Sequence, residues 1–438
     1  MKSEISNHFY FQVKLDSETM DALRNYMISS EREYPLVFEG RHEIRNYVKD
    51  KIAHLRRADR SLSSTIVIQG APGVGKTSLL EKIAEERAKD KNLVVVSLPT
   101  DAFDDPAAVL QGFISHEGTN FEELSRAYGR QGSATLDAKI FKAGGVLSSQ
   151  LPSLATIVKE SPTSVWGLVK ESLNTGEDPI FLLLVDEAQR IRPDGDGSGK
   201  NTFISALHDG KHLAGLKILP VFVGLSDTDD ALSNAGITRE AQDGFTLGPL
   251  ASKECVQVVL ATMDALGLTD LFDQVDRVSL GRQIDLAGDG WPRHIHNYLQ
   301  ALVAEIEVCQ QEGETYIDFD KVLDEGHDNR IRYYFKRLNR ITGYDDLHSY
   351  LDSLAMKFEI DEEMKKGDVF DHFQSATGVD RDVANGMIDA CVHNGIFQKF
   401  QNGNYGFSIP SLHTFLANGR DVEVTKDLLR SRVAEETA

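Results

Sequence analysis

The apolar positions of the chain predict a parallel sheet flanked by helices. The run IFLLLV, from Ile180 to Val185, is continuously apolar, as is typical of a central strand buried on both faces. Four further strands are predicted on either side of it, at residues 65–69, 92–98, 216–228 and 245–250. A helical pattern follows the first of these strands. The alternation predicts an α/β fold with a doubly wound, five-stranded parallel sheet.

A buried amphipathic helix is predicted after the turn GDGW, because Pro292 suits the first position of a helix. Apolar residues then recur at helical spacing, at Ile295, Leu299, Leu302 and Ile306. Arg293 lies in the first turn, where the helix dipole disfavours a cation. Its position therefore indicates a task such as holding an anion.

A phosphate-binding loop lies between the strand at 65–69 and its helix, in the stretch GAPGVGKTS. Its glycines let backbone N–H groups wrap a polyphosphate, Lys76 neutralises the β and γ phosphates, and the Thr77 hydroxyl binds Mg²⁺. The sequence thus predicts ATP and Mg²⁺ as cofactors. The predicted nucleotide contacts are Gly70, Ala71, Pro72, Gly73, Val74, Gly75, Lys76, Thr77 and Ser78.

Two carboxylates follow the apolar run at 180–185, where ligands of open α/β sheets bind. Asp186 is predicted to be the second Mg²⁺ ligand. Glu187 is predicted to act as the general base that polarises the attacking water.

A polar cluster follows the predicted strand at 216–228, and Ser226 is its first member. Two interpretations of Ser226 stand at this point. It senses the γ-phosphate or positions water beside Asp186, or it caps the helix that follows.

Composition indicates a folded protein of roughly three domains with an acidic balance. Forty-seven Lys and Arg residues face 68 Asp and Glu residues, so the formal net charge is -21. Any nucleic-acid site must then be a local basic patch. Cys255, Cys309 and Cys391 form no CxxC pair, which predicts free thiols, and no signal peptide or membrane span is evident. We expect a cytoplasmic protein.

With these motifs in place, the chain from about Tyr34 to Val308 resembles the AAA+ superfamily. The resemblance is to the branch of the origin-recognition and helicase-loader ATPases, the STAND ATPases and the bacterial transposition ATPases. The stretch PLVFEGRHEI resembles the box that lies near the adenine in these families, which implies base and ribose contacts from Gly40 and Arg41. The stretch GWPRHIHNYL resembles sensor 2, which implies that Arg293 reaches from a helical lid onto the γ-phosphate.

The stretch before the last strand, NAGITREAQDGFTLGPL, resembles the place where these families carry an arginine finger. Arg239 is then implied to act on the ATP of a neighbouring subunit. The alternative is an exposed surface arginine without a catalytic role.

The C-terminal third predicts two further features. The helix around Arg330 to Arg340 carries a basic side, which fits either nucleic acid or plain solvation. From Asp380 to Leu416 the order helix, strand, QNGN turn, strand and helix resembles a winged helix, but acidic residues on its second helix make it a poor reader of DNA.

The expected organisation is an N-terminal extension (1–34), a nucleotide-binding α/β domain (35–250), a helical lid (251–325) and a winged-helix-like domain (326–438). An insertion is expected near 101–175. The expected function is an ATP-hydrolysing AAA+ switch that oligomerises, or closes its lid, to engage a partner protein. The alternative is a DNA-associated ATPase, a loader, initiator or transposition regulator, that grips DNA through its C-terminal domain.

Overall fold

The computed structural model describes most of the chain outside the predicted insertion. The described residues are 8–10, 14–29, 35–58, 64–90, 93–98, 180–193, 201, 204, 207, 216–344, 347–360, 362–377 and 380–437. The insertion near 101–175, including its Gly/Ser/Ala-rich stretch, lies outside them.

Within these ranges the chain forms short strands and helices of about two to six turns. The strands are β1 (His8–Tyr10), β2 (Thr65–Gly70), β3 (Leu93–Leu98), β4 (Ile180–Val185), β5 (Lys217–Gly224), β6 (Gln242–Leu247), β7 (Tyr316–Asp318), β8 (Phe397–Lys399) and β9 (Tyr405–Phe407). The helices are α1 (Ser17–Ser29), α2 (His42–Arg57), α3 (Lys76–Arg87), α4 (Thr228–Asn234), α5 (Ser252–Ala265), α6 (Gln274–Gly288), α7 (Pro292–Glu312), α8 (Phe319–Leu338), α9 (Leu347–Lys357), α10 (Lys366–Thr377), α11 (Arg381–His393), α12 (Pro410–Ala417) and α13 (Val422–Thr437). Across the part described, no helix is long and apolar enough to cross a lipid bilayer.

Five parallel strands form the predicted sheet, in the order β3-β4-β5-β2-β6. Strand β4 is buried along its whole length, as its unbroken apolar run predicts. Because all five strands run the same way, the residues after β2, β4 and β5 meet at one edge of the sheet. The predicted fold class is confirmed, and this edge carries the candidate site.

Strand β6 begins three residues before its predicted start at Phe245 and ends at Leu247. It lies at the edge of the sheet and pairs with β2 from Gln242 onward. A partly exposed edge strand does not need apolar side chains, so its polar first half left no signal in the apolar pattern.

Helices α5 to α7, in the region expected to be the lid, have an apolar core that also takes in the N-terminal segment. Strand β1 pairs antiparallel with β7, and Phe9 is buried in the lid core. Leu23 and Tyr26 of α1 are buried in the same core. The sequence did not predict this packing, because residues 8–29 carry no motif that names a partner.

Helices α9 to α12 share an apolar core with the nucleotide-binding sheet, whereas Leu429 and Val433 of α13 are buried in the other core, with residues of α5 to α7. The core shared with the sheet contains apolar residues of β2, of α12 and of the β8–β9 hairpin. It also contains Trp291, Ile331 and Tyr334. The order of elements from α11 to α12 follows the sequence expectation, while the winged-helix assignment stays a prediction. Helix α8 runs unbroken through residues 325–326, so one helix spans the boundary expected between the lid and the C-terminal region.

Candidate functional site

The loop between β2 and α3 has the backbone that a phosphate cradle requires. Gly73 and Gly75 have φ angles of 76° and 92°, in the left-handed region where side chains are strained. Helix α3 then begins at Lys76, so its unpaired N–H groups and the positive end of its dipole lie at the loop.

Lys76 is buried beneath this loop. Its Nζ donates hydrogen bonds of 2.9 Å to the carbonyl oxygens of both Gly70 and Ala71. Burial lowers the pKa of Lys76 to about 8, although the charges of Glu187 and Asp186 oppose the shift. A cation held in a desolvated cradle gains from a nearby anion, which is the environment that a polyphosphate suits.

The two predicted Mg²⁺ ligands lie in contact. The Thr77 hydroxyl, in the first turn of α3, donates a 2.5 Å hydrogen bond to Asp186 Oδ2 at the end of β4. Burial is the main cause that raises the pKa of Asp186, so its negative charge costs free energy without a cation beside it. A hydroxyl and a carboxylate are hard oxygen ligands of the kind Mg²⁺ takes, and these two residues fit that role.

Glu187 follows in a backbone conformation that is rare for a side-chain-bearing residue, with φ of 51°. Its side chain is 42% exposed, and its carboxylate accepts a 2.6 Å hydrogen bond from Gln189 Nε2. The Gln189 Oε1 accepts a hydrogen bond from the Leu225 N–H. Gln189, which the sequence analysis missed, therefore links Glu187 to the end of β5 and fixes its direction.

The beginning of α7 lies on the phosphate loop. The Arg293 N–H donates to the Gly73 carbonyl at 3.1 Å, and Trp291 Nε1 donates to the Pro72 carbonyl at 2.9 Å. A Cβ atom on Gly73 would lie 2.8 Å from Arg293 Cβ, so only glycine fits beneath this contact. The structure thus brings Arg293 to the loop, and its contact with the γ-phosphate stays a prediction.

The Arg293 guanidinium lies 5.8 Å from the centroid of the Tyr333 ring. Its Nε is buried and makes no hydrogen bond to the part of the chain that the structure describes. A buried donor without an acceptor costs free energy, and a phosphate oxygen would satisfy it.

Gly40 and Arg41 lie on the other side of the loop, beside a small apolar cavity. Arg41 Nη2 donates to the Gly248 carbonyl at 2.5 Å and to the Val74 carbonyl at 3.4 Å. The cavity is lined mainly by apolar side chains, among them Val37, Phe38, Leu250, Pro292 and Leu299. A flat, apolar base fits such a lining, with Arg41 bracing the loop that bounds it.

Ser226 and Arg239 lie on the side that faces the C-terminal region. Ser226 Oγ accepts a 2.9 Å hydrogen bond from the Lys399 N–H, and α4 has Asp227 at its N-cap with no side-chain cap. Ser226 therefore holds β8 rather than capping the helix. Arg239, with 61% of its side chain exposed, donates to Asp230 Oδ1 at 2.5 Å. Asp230 also binds Lys399 Nζ at 2.6 Å, so one carboxylate holds both cations.

The predicted basic side of α8 is wrong for two of its members. Arg330 is 5% exposed and donates to the Ala287 carbonyl. Arg337 donates to the Tyr333 hydroxyl and to the Asn394 carbonyl. These arginines bind within the molecule because the helix is packed on more of its circumference than its charge pattern indicates, which leaves Lys336 and Arg340 exposed.

Comparisons with known proteins address the fold. No protein-family model and no curated protein matches the sequence. Among solved structures, the ORC2 protein of Aeropyrum pernix, in ADPNP and ADP complexes, is 12% identical, with a TM-score of 0.52 over 98% of this chain and 99% of that one. A Walker-type ATPase of Pyrococcus abyssi is 15% identical, with a TM-score of 0.49 over 86% of this chain and 96% of that one.

The order of the parallel sheet and the likeness to the Aeropyrum protein agree. The chain has an AAA+ fold. The phosphate loop follows β2, which lies between β5 and β6 in the sheet. Asp186 and Glu187 follow β4, on the other side of β5. The geometry of the AAA+ domain therefore joins Lys76, Thr77, Asp186, Glu187 and Arg293 at one edge of the sheet.

Proposed function

We propose that this protein binds Mg·ATP at the phosphate loop and hydrolyses it, as a switch that engages a protein partner. The observation that carries the proposal is the contact between Thr77 and Asp186. Two oxygen ligands from distant parts of the chain meet beside a buried lysine. A site with that donor set and that cation suits the charge of a Mg²⁺-bound polyphosphate.

Each residue then has a role that its position supports. Lys76 exchanges the carbonyls of its own loop for phosphate oxygens, and Arg293 presents its unsatisfied Nε to the terminal phosphate. Mg²⁺, held by Thr77 and Asp186, would neutralise phosphate charge when bound. Glu187, aimed by Gln189, accepts a proton from the attacking water.

Oligomerisation is part of the proposal, because Arg239 is exposed on the surface of the AAA+ domain. A finger that acts on a neighbour must lie where another subunit can reach it. The proposed units are the α/β domain at 35–250, the lid at 251–325 and the C-terminal domain at 326–438, and helix α8 joins the last two. ATP-driven lid closure then changes the surface offered to a partner.

A DNA-gripping role is less well supported. Of the four residues on the predicted basic side, Lys336 and Arg340 remain exposed; Arg332, also exposed on α8, pairs with Glu325, and the net charge is -21. Two lysine or arginine side chains contribute little to the counterion release that drives DNA binding. A protein partner is the better match.

Calorimetry with ATP on matched lysine variants of α3 tests the proposal. Lys76→Ala removes the buried cation, and Lys82→Ala removes a partly exposed one that pairs with Glu85 on the same helix. Wild type and Lys82→Ala should bind ATP and Lys76→Ala should not. ATP binding to Lys76→Ala with unchanged affinity would remove the phosphate-loop assignment.

A second variant separates binding from hydrolysis. Glu187→Gln keeps the shape of the side chain but loses the base, so ATP should still bind while turnover falls by about 10² or more. Turnover near that of the wild type would mean that another group accepts the proton.

A further inference from the structure

The last two turns of α8 face the phosphate loop, although they lie outside the lid. Tyr333 Oη is 3.2 Å from the position that a Cβ atom on Gly73 would occupy. Arg337, one turn later on the same face, has its guanidinium 5.3 Å from the Tyr333 ring centroid, and Arg293 lies 5.8 Å from that same centroid. One tyrosine ring at the loop therefore contacts two arginines.

Arg337 has neutral hydrogen-bond partners. Its Nε donates to Tyr333 Oη at 2.8 Å and its Nη1 donates to the Asn394 carbonyl at 2.6 Å. Within the described ranges, no carboxylate lies at ion-pair distance from it, unlike Arg239 with its Asp230 partner. A guanidinium has five N–H donors and suits oxyanions, so three donors and the positive charge remain to be matched.

The charge of Arg337 acts on the loop itself. Burial is the main cause of the lowered pKa of Lys76, and the positive charge of Arg337 lowers that pKa further. Two cations that repel each other across the loop both gain when a multiply charged anion binds between them.

Arg337 is also fixed in place from its outer side. Gly395 packs on the loop so closely that a Cβ atom there would be 2.3 Å from Pro72 Cγ. Asn394, which accepts the hydrogen bond from Arg337, immediately precedes this contact. The guanidinium is thus held between the loop and the start of β8, with little freedom to turn away.

We propose that Arg337 is a second arginine for the terminal phosphate of the nucleotide, supplied by the end of α8 beyond the lid. The proposal deepens the proposed function and rests on it. Arg293 and Arg337 bind the same phosphate from two sides of Tyr333. Arg337 also donates a hydrogen bond to the Asn394 carbonyl. The C-terminal region therefore contacts a residue whose phosphate contact is present with ATP and absent with ADP.

The test compares the affinities for ADP and for a non-hydrolysable ATP analogue in wild type, Arg337→Gln and Arg340→Gln. Arg340 is the matched control, because it lies just beyond the end of the same helix and is exposed. Arg337→Gln should weaken binding of the ATP analogue about tenfold or more, the size of a lost charged hydrogen bond, and change ADP binding less than about threefold. Arg340→Gln should change neither affinity.

If Arg337→Gln weakens the binding of both nucleotides equally, the residue acts in packing and the inference is overturned. If neither affinity changes, the inference is overturned as well. Arg337→Lys, which keeps the charge but not the fork, should fall between wild type and Arg337→Gln. If Lys76→Ala abolishes binding and Arg337→Gln leaves the ratio intact, this inference alone fails. If wild type binds neither nucleotide, the proposed function fails as well.

Discussion

The two sides of the candidate nucleotide site are built in opposite ways. The loop side consists of two short segments, residues 70–78 and 186–187. In each segment the residues proposed to bind phosphate or metal are consecutive in the sequence. The cover side combines residues 291–293 of the lid, 333–337 of α8 and 394–395 before β8. Backbone conformation determines the loop side, and packing of distant elements determines the cover side.

This difference explains where each kind of chemistry lies. The loop side supplies backbone N–H groups, a buried lysine and the oxygens of Thr77 and Asp186, which suit phosphate and metal. The cover side supplies two arginines around Tyr333, which we propose bind the terminal phosphate. Binding of any nucleotide should thus depend on the first side, and distinction between nucleotides on the second.

The largest predicted effect arises outside both sides, from Arg239. If Arg239 acts on a neighbour's ATP, Arg239→Ala should lower turnover by about 10³ to 10⁵, the range for arginine fingers. Mixed with inactive Lys76→Ala, it should regain partial activity, because an intact loop on one subunit then meets an intact finger on the next. The ATPase rate of the mixture measures this.

Arg293→Ala mixed with Lys76→Ala is the control for that experiment, since Arg293 contacts the loop of its own chain. This mixture should stay inactive. If the wild type forms oligomers with ATP and the Arg239→Ala mixture is still inactive, Arg239 is a surface residue paired with Asp230.

A smaller effect is expected in two glycine variants of the loop, because only one of the two glycines lies against the cover side. Gly73→Ala and Gly75→Ala both place a side chain at positive φ, a strain of about 1–3 kcal/mol. The added Cβ on Gly73 would also collide with Arg293 Cβ at 2.8 Å, whereas that on Gly75 would be 3.7 Å from Pro292 Cγ. Both variants should bind ATP more weakly, and Gly73→Ala should lose at least about tenfold more than the strain alone explains.

Calorimetry measures the loss of ATP affinity in each of the two glycine variants. The affinity for ADP, measured on the same proteins, is the reference. Identical losses would show that the cover does not lie on the loop when nucleotide is bound.

These tests also mark what the sequence could predict. Residues 70–78 and 186–187 were identified because phosphate and metal chemistry need particular residues at fixed spacing. Tyr333 and Arg337 were not, since aromatic and basic residues on a helix fit a solvated face equally well, and only packing shows which face meets the loop. Gly395 has a φ of 69°, as is common for a glycine after a helix, but its contact with Pro72 could not be foreseen from a local signal.

The smallest predicted effect concerns a buried histidine of α8, outside both sides of the site, at low pH. His327 is 1% exposed, and burial, aided by the charge of Arg330, lowers its pKa to about 3 from 6.5. Below about pH 6.5 the unfolded chain takes up a proton that the folded chain does not, so the free energy of unfolding falls as the pH falls.

His327→Gln removes this group, so the variant should lose about 2 kcal/mol less stability than wild type between pH 7 and pH 5. Urea denaturation at the two pH values measures the difference. Equal losses in the two proteins would show that His327 takes up its proton in the folded state.

Release of phosphate from ATP by the purified chain tests the central claim most directly. Wild type with Mg²⁺ should release phosphate, while wild type with the metal chelated and Lys76→Ala with Mg²⁺ should not, because Thr77, Asp186 and Lys76 act on one bound nucleotide. Release at equal rates by wild type and Lys76→Ala, or no release by wild type with Mg²⁺ under conditions in which it binds ATP and oligomerises, would contradict the account.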